Sequence, residues 1–99
     1  MYLDNFIEQI QGLCAQHKVR NLIAFGSVIR DDFKADSDID LLVDINSNDP
    51  IDYAENYFEL KFKLQDLLNR PIDLLERKGL KNSYLIQSIN RSKRTIYEA

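Results

Sequence analysis

Cysteine is nearly absent from this chain. Cys14 is the only one, so no internal disulfide framework can form. It falls on the apolar stripe of the first predicted helix, where a buried, inert thiol is expected rather than a nucleophile. Histidine is equally scarce. His17 stands alone where that helix should end, and a capping or surface role is expected for it rather than catalysis or metal binding. An excess of basic charge is also missing: 13 Lys and Arg face 16 Asp and Glu, a formal net charge of −3. Direct nucleic-acid binding through phosphates needs a basic face, so it is not expected here. The local cluster of Arg91, Lys93 and Arg94 reads as a solvated turn. No apolar run approaches the length of a bilayer span, and no secretory apolar segment follows Met1. A soluble, cytoplasmic protein without a membrane partner is the expectation.

Repeats, low-complexity tracts and linkers are missing too, so a single domain over residues 1–99 is predicted. A chain of this length buries roughly two-thirds of its unfolded surface, enough for one core. Leu3, Phe6, Ile7, Ile10, Leu13 and Cys14 recur at helical spacing. Asn21 to Phe25 is a short apolar run stopped by Gly26, which reads as a buried strand. Ser27 to Arg30 starts a short helix, and Ile39 to Ile45 reads as a second strand. Asp49-Pro50 opens a long helix that runs to about Leu68. Arg70 to Glu76 is a third strand, Asn82 to Asn90 a short helix, and Arg94 to Glu98 a last strand. Strands alternating with helices predict an α/β (α+β) domain, a small mixed sheet with helices packed on it.

Three pieces of the chain carry chemistry. Gly26-Ser27 lies directly between an apolar strand and a helix start. There glycine permits a tight turn and close backbone approach, and the free N–H groups with the Ser27 hydroxyl favour an anion. It is no P-loop, because no Gly-Lys-Ser/Thr follows at the required spacing. The second piece is Ser37-Asp38-Ile39-Asp40-Leu41-Leu42-Val43. Residues two apart on a strand point the same way, so Asp38 and Asp40 share one face while Ile39 and Leu41 face the core. Adjacent carboxylates repel, and divalent cations with oxygen ligands are the obvious compensation. The plain alternative is a polar strand entry. An EF-hand loop is excluded, because Leu41 and Ser47 occupy its glycine and glutamate positions. The third piece is Asp73, a charge amid an apolar strand. Either it completes a carboxylate triad beside Asp38 and Asp40, or it faces water from an edge strand.

Gly26-Ser27, ten intervening residues and Asp38-Ile39-Asp40 together resemble the signature of the DNA polymerase β-like nucleotidyltransferase superfamily. The runs Ala24 to Arg30 and Ser37 to Val43 are similar to its minimal nucleotidyltransferase (MNT) branch. The resemblance covers nearly the whole chain, and it implies the polymerase β-like fold and transfer of a nucleoside monophosphate with release of pyrophosphate. It further implies that Asp38 and Asp40 hold two magnesium ions. Asp73 would assist one of them and deprotonate the acceptor hydroxyl. Gly26, Ser27, Arg30 and Ser37 would bind the nucleotide, with ATP as the expected substrate. For Arg30 the alternative is a surface ion pair with Asp31 or Asp32. Asp31 departs from the glycine common in the family and adds negative charge near the triphosphate.

The chain has no residues to spare for an acceptor-binding domain, so the acceptor site is expected on a second protein. In the minimal branch that partner is typically a helical HEPN protein acting as a toxin, and this chain would be the antitoxin half. Modification of a HEPN tyrosine with AMP is one expected activity. A non-catalytic, nucleotide-binding antitoxin and a small-molecule transferase are the alternatives. On the long helix, Tyr53, Tyr57, Leu60, Leu64 and Leu67 form a core-facing arc. Ile51, Phe58 and Phe62 fall on nearly the opposite arc, to be covered by the chain's own tail, by a partner or by a second copy of the chain.

Overall fold

A computed structural model describes residues 1–30 and 33–99. A 3₁₀ turn at Tyr2–Phe6 leads into α1 (Ile7–Gln16), followed by β1 (Val19–Phe25), a 3₁₀ turn at Gly26–Ile29, and β2 (Ile39–Ile45). After these come α2 (Pro50–Leu68), β3 (Ile72–Glu76), a 3₁₀ turn at Arg77–Gly79, α3 (Ser83–Arg91) and β4 (Lys93–Glu98). The sheet order is β3-β2-β1-β4. β1 runs antiparallel to both β2 and β4, whereas β2 and β3 are parallel. The sheet is therefore mixed, as predicted. The parallel pair arises because α2 carries the chain back across one face between β2 and β3.

Helix α2 is capped at both ends by residues of the right kind. Asp49 accepts the Ile51 N–H at 3.0 Å, Pro50 fills the first turn, and Asn69 closes the helix in the left-handed conformation at φ 52°. That closure is why β3 begins only at Ile72. Asn69 ends the helix, and Pro71 has no N–H for a ladder.

Alternation along the strands divides the core between two sheet faces. Leu22, Ala24, Ile39, Leu41, Val43 and Ile45 pack with Ile10 and Cys14 of α1 and with Leu60, Leu64 and Leu68 of α2. On the other face Ile23, Phe25 and Leu42 pack against Ile89 of α3, a smaller cluster that leaves part of this face open. Asp40, alternating with Leu41, belongs to that second face.

Of the two roles expected for His17, capping holds and surface exposure does not: it caps α1 and is 2% exposed. Its Nδ1–H donates to the Leu13 carbonyl at 2.7 Å, and its Nε2 lies 3.3 Å from Glu59. The ring thereby stitches α1 to α2, a tertiary contact that no local pattern announces. Cys14 is buried as expected, and burial pushes its thiol up to about 12.

The outer arc of α2 is uncovered. Ile51, Phe58 and Phe62 are 72%, 52% and 58% exposed, and the two phenyl rings stack at 6.4 Å. The C-terminal residues cannot cover them, because β4 lies along β1 and the Ala99 N–H donates to the Arg20 carbonyl.

Candidate active site

The site forms where β1 ends and β2 begins. Gly26 turns the chain at φ +74°, a left-handed conformation that favours glycine. A second reason for glycine lies across the strand pair: a Cβ there would sit 2.5 Å from Asp40 Oδ2. The turn and the carboxylate are thus packed against each other. Phe25, just before the turn, pairs with Asp40, and Asp40 in turn pairs in register with Asp73 on β3. Paired residues point to the same side of a sheet, so Asp40 and Asp73 stand side by side.

Electrostatics ties in the remaining predicted residues. The Asp40 carboxyl is held above its ordinary value, first by burial, then by the negative charges of Asp73 and Asp38, with Arg30 opposing. Asp38, Asp40, Asp73 and Arg30 therefore share one local field. Asp40 is half-buried, whereas Asp38 and Asp73 are exposed. β3 is indeed an edge strand, so both readings of Asp73 hold: it faces water and it stands beside the other carboxylates. The proposed ion pairs of Arg30 with Asp31 or Asp32, and the effect of Asp31, lie outside the described residues.

Ser27 is half-buried in the turn, and its carbonyl accepts the Arg30 N–H at 3.1 Å. Ser37 serves the loop itself, its Oγ accepting the Lys34 N–H at 3.0 Å while its own N–H returns to the Lys34 carbonyl. The hydroxyl keeps one proton to donate. If Gly26-Ser27 grips the outer phosphates, Ser27→Ala should weaken ATP binding by about 1–3 kcal/mol, the worth of a hydrogen bond to a charged group. AMP affinity should stay unchanged. Calorimetry with both nucleotides separates the cases, and equal weakening of the two would remove this loop from the phosphate site.

Among the described residues, no three carboxylates, histidines or cysteines are drawn into a ready-made metal cluster. Magnesium does not need one. It binds through one or two carboxylates and completes its shell with water and substrate phosphate oxygens. Asp40 with Asp38, open to solvent beside an anion-favouring turn, fits that requirement. Besides burial, the negative charges of Asp73 and Asp38 raise Asp40, and a cation would offset that charge.

Three features escaped the sequence reading. Arg70 binds the loop before Asp38. The Tyr57 hydroxyl donates to the Leu74 carbonyl on β3. Lys93 pairs with Phe25, which places it in the row that carries Asp40 and Asp73. Arg91, Lys93 and Arg94 are exposed as expected, though Arg94 also pairs with Asp4 at 2.9 Å. Each of these contacts spans the fold, so no sequence spacing encodes it. A cavity of about 350 Å³ lined by Arg20, Asp44, Tyr53 and Lys78 includes none of the three carboxylates.

The sequence profile of the family described as polymerase β nucleotidyltransferase matches residues 8–99. The chain belongs to this family. Protein adenylyltransferase MntA of Thermococcus cleftensis is 33% identical over 84 residues, which cover 77% of this chain and 82% of that protein. A solved structure described as a candidate minimal nucleotidyltransferase superposes with a TM-score of 0.75 at 30% identity, covering 93% of this chain and 90% of that one. A third match is a chain from the complex of tri-AMPylated Shewanella oneidensis HEPN toxin with MNT antitoxin. It has a TM-score of 0.66 at 22% identity and covers all of this chain and 74% of that one. At that identity it speaks for the fold alone. This nucleotidyltransferase thus has the expected minimal, polymerase β-like architecture, and it carries Gly26-Ser27, Asp38, Asp40 and Asp73 on it.

Proposed function

We propose that this nucleotidyltransferase is a protein adenylyltransferase that moves AMP from ATP to a tyrosine hydroxyl of a HEPN-domain partner and thereby silences it. The observation that carries this reading is the row in which Gly26 abuts Asp40 and Asp40 stands beside Asp73. On this reading the turn binds an anion, Asp40 holds a cation and Asp73 accepts a proton, all in one line. The relative named MntA and the AMPylated HEPN complex supply the choice of nucleotide and acceptor.

In this mechanism Gly26, Ser27 and Arg30 hold the β- and γ-phosphates, with Ser37 offering its remaining proton to the nucleotide. Asp38 and Asp40 would hold magnesium, which neutralises charge on the attacking and leaving oxygens. Asp73 accepts the proton of the acceptor hydroxyl. The acceptor oxygen bonds to the α-phosphorus, the bond from that phosphorus to the β-phosphate oxygen breaks, and pyrophosphate leaves. Most of the acceleration comes from positioning and charge.

Intact-mass measurement after incubation with ATP, magnesium and a HEPN partner tests the whole reading. A mass gain of one or more AMP groups on the partner is expected. Tight binding without mass gain would make the chain a stoichiometric antitoxin, and transfer only to small hydroxylated molecules would make it a small-molecule transferase. Within the mechanism, Asp73→Asn should leave ATP affinity within about a few-fold while transfer collapses, the signature of a group acting in the transition state. Parallel loss of binding and rate would confine Asp73 to holding the cation.

An acceptor carried by a second protein requires a docking surface on this one. We assign that role to the uncovered arc of α2, with the HEPN partner as occupant. Stacked, exposed phenyl rings in a one-sided helix are the kind of patch that marks an interface. Phe58→Ser combined with Phe62→Ser should leave unfolding cooperative and reduce partner affinity by more than about ten-fold, since buried aromatic anchors contribute more than 1 kcal/mol each. Unchanged affinity in the folded double variant would move the interface elsewhere.

A further inference from the structure

The segment after α2 does more than lead into β3. Arg70 follows the left-handed Asn69, and its guanidinium lies over two neighbouring aromatic rings, 4.9 Å from the centroid of Tyr2 and 4.5 Å from that of Phe33. Its Nη1 donates to the carbonyls of Lys34 at 2.7 Å and Ser37 at 3.2 Å. The next residue, Pro71, accepts the Ile39 N–H at 3.0 Å. The peptide group before Asp38 is thus held by Arg70, and the peptide group after it by Pro71. Asp73, slightly further on, pairs in register with Asp40. One short run, Arg70 to Asp73, therefore sets the backbone frame of all three carboxylates.

Asp38 needs such a frame. It lies just outside β2, which begins at Ile39, and Lys34, Ala35 and Asp36 before it are exposed. A polar loop with little apolar burial opens easily, and a carboxylate at its end ligates poorly unless the backbone is pinned. A guanidinium suits the task. Its delocalised charge lies over the Tyr2 and Phe33 rings while Nη1 donates to two carbonyls, which the compact ammonium of lysine cannot reproduce.

We propose that Arg70 is a positioning residue of the cation site, clamping residues 33–37 so that Asp38 stands beside Asp40 before metal and nucleotide arrive. This rests on the assignment of Asp38 and Asp40 as the cation-holding pair. Arg70 acts through the backbone of Lys34 and Ser37.

The test is Mn²⁺ titration of the full chain with a non-hydrolysable ATP analogue, free Mn²⁺ being read by electron paramagnetic resonance. Arg70→Met, Arg70→Lys and Asp40→Asn are compared with the parent protein. Arg70→Met should weaken Mn²⁺ binding by about ten-fold or more, the usual cost of losing a group that orients metal ligands. Arg70→Lys should fall between. Amide exchange should accelerate over residues 33–39 in both variants while β1 and β4 keep their protection. Parent-like affinity in a folded Arg70→Met overturns the proposal. If that variant does not fold, Arg70→Lys decides, and parent-like affinity there overturns it. Loss of Mn²⁺ in Asp40→Asn but in neither Arg70 variant removes the positioning role alone. Parent-like Mn²⁺ binding in Asp40→Asn removes the cation site itself, and the positioning role with it.

Discussion

Asp40→Asn should abolish nucleotidyl transfer and yet make the metal-free protein more stable at neutral pH. The loss of rate is expected to be on the order of 10³-fold, because a metal-holding carboxylate supports several kcal/mol of charge stabilisation in the transition state. The gain in stability follows from what holds Asp40 above its ordinary value: burial first, then repulsion from Asp73 and Asp38. A raised value means that the folded state keeps its proton at a pH where the unfolded chain has released it. Ionised Asp40 therefore costs stability, and the full cost applies above its folded-state value. As pH falls through that value the folded state takes up its proton and the cost shrinks; below 3.8 the carboxyl is protonated in both states and the cost is gone. In EDTA the variant should thus unfold at a higher temperature than the parent at pH 7, with the gap closing towards pH 4. Magnesium with nucleotide should narrow the gap at pH 7 by stabilising only the parent. A pH-independent gap, or a variant less stable at neutral pH, would mean that Asp40 serves the fold rather than the site.

Gly26→Ala should be almost as damaging for a different reason. The position combines φ +74° with a would-be Cβ 2.5 Å from Asp40 Oδ2. An L side chain in the left-handed region costs about 1–2 kcal/mol by itself. The methyl group must also displace either the turn or the carboxylate. A shift of about 1 Å at a reacting centre lowers rate on the order of 10²-fold. The expected result is a folded protein with a lowered melting temperature, with both ATP affinity and transfer rate reduced. The Ser27 variant, by contrast, should lose only phosphate affinity. Parent-like transfer by Gly26→Ala would show that neither the turn nor its contact with Asp40 is needed.

Much of the fold was legible along the chain, because its cues are local. Asp49-Pro50 and the apolar arc of α2 delimit that helix through capping and period, and both ends agree with the structure. β2 was bounded correctly by alternation alone. β3 starts late because Asn69 and Pro71 delay it, and the starts of β1 and β4 moved where pairing overrides propensity. Val19 extends β1 because it pairs with Ile45, and Lys93 opens β4 because it pairs with Phe25. The parallel register that sets Asp73 beside Asp40 depends on how α2 returns the chain, so the choice between edge-strand aspartate and triad member could only be made in three dimensions.

What the sequence by itself determined is the chemical inventory: a glycine-serine turn after a strand, two carboxylates two residues apart at the start of the next strand, a third on an apolar strand, and a formal net charge of −3. Residue type and short-range period suffice for that, since they act within a few bonds. The tertiary structure alone decided that Gly26 packs on Asp40, that Arg70 holds the loop before Asp38, that His17 is buried between two helices, and that the described residues leave Phe58 and Phe62 exposed. Each of these joins residues far apart in sequence, through contacts that exist only once the sheet has closed and the helices have docked on it.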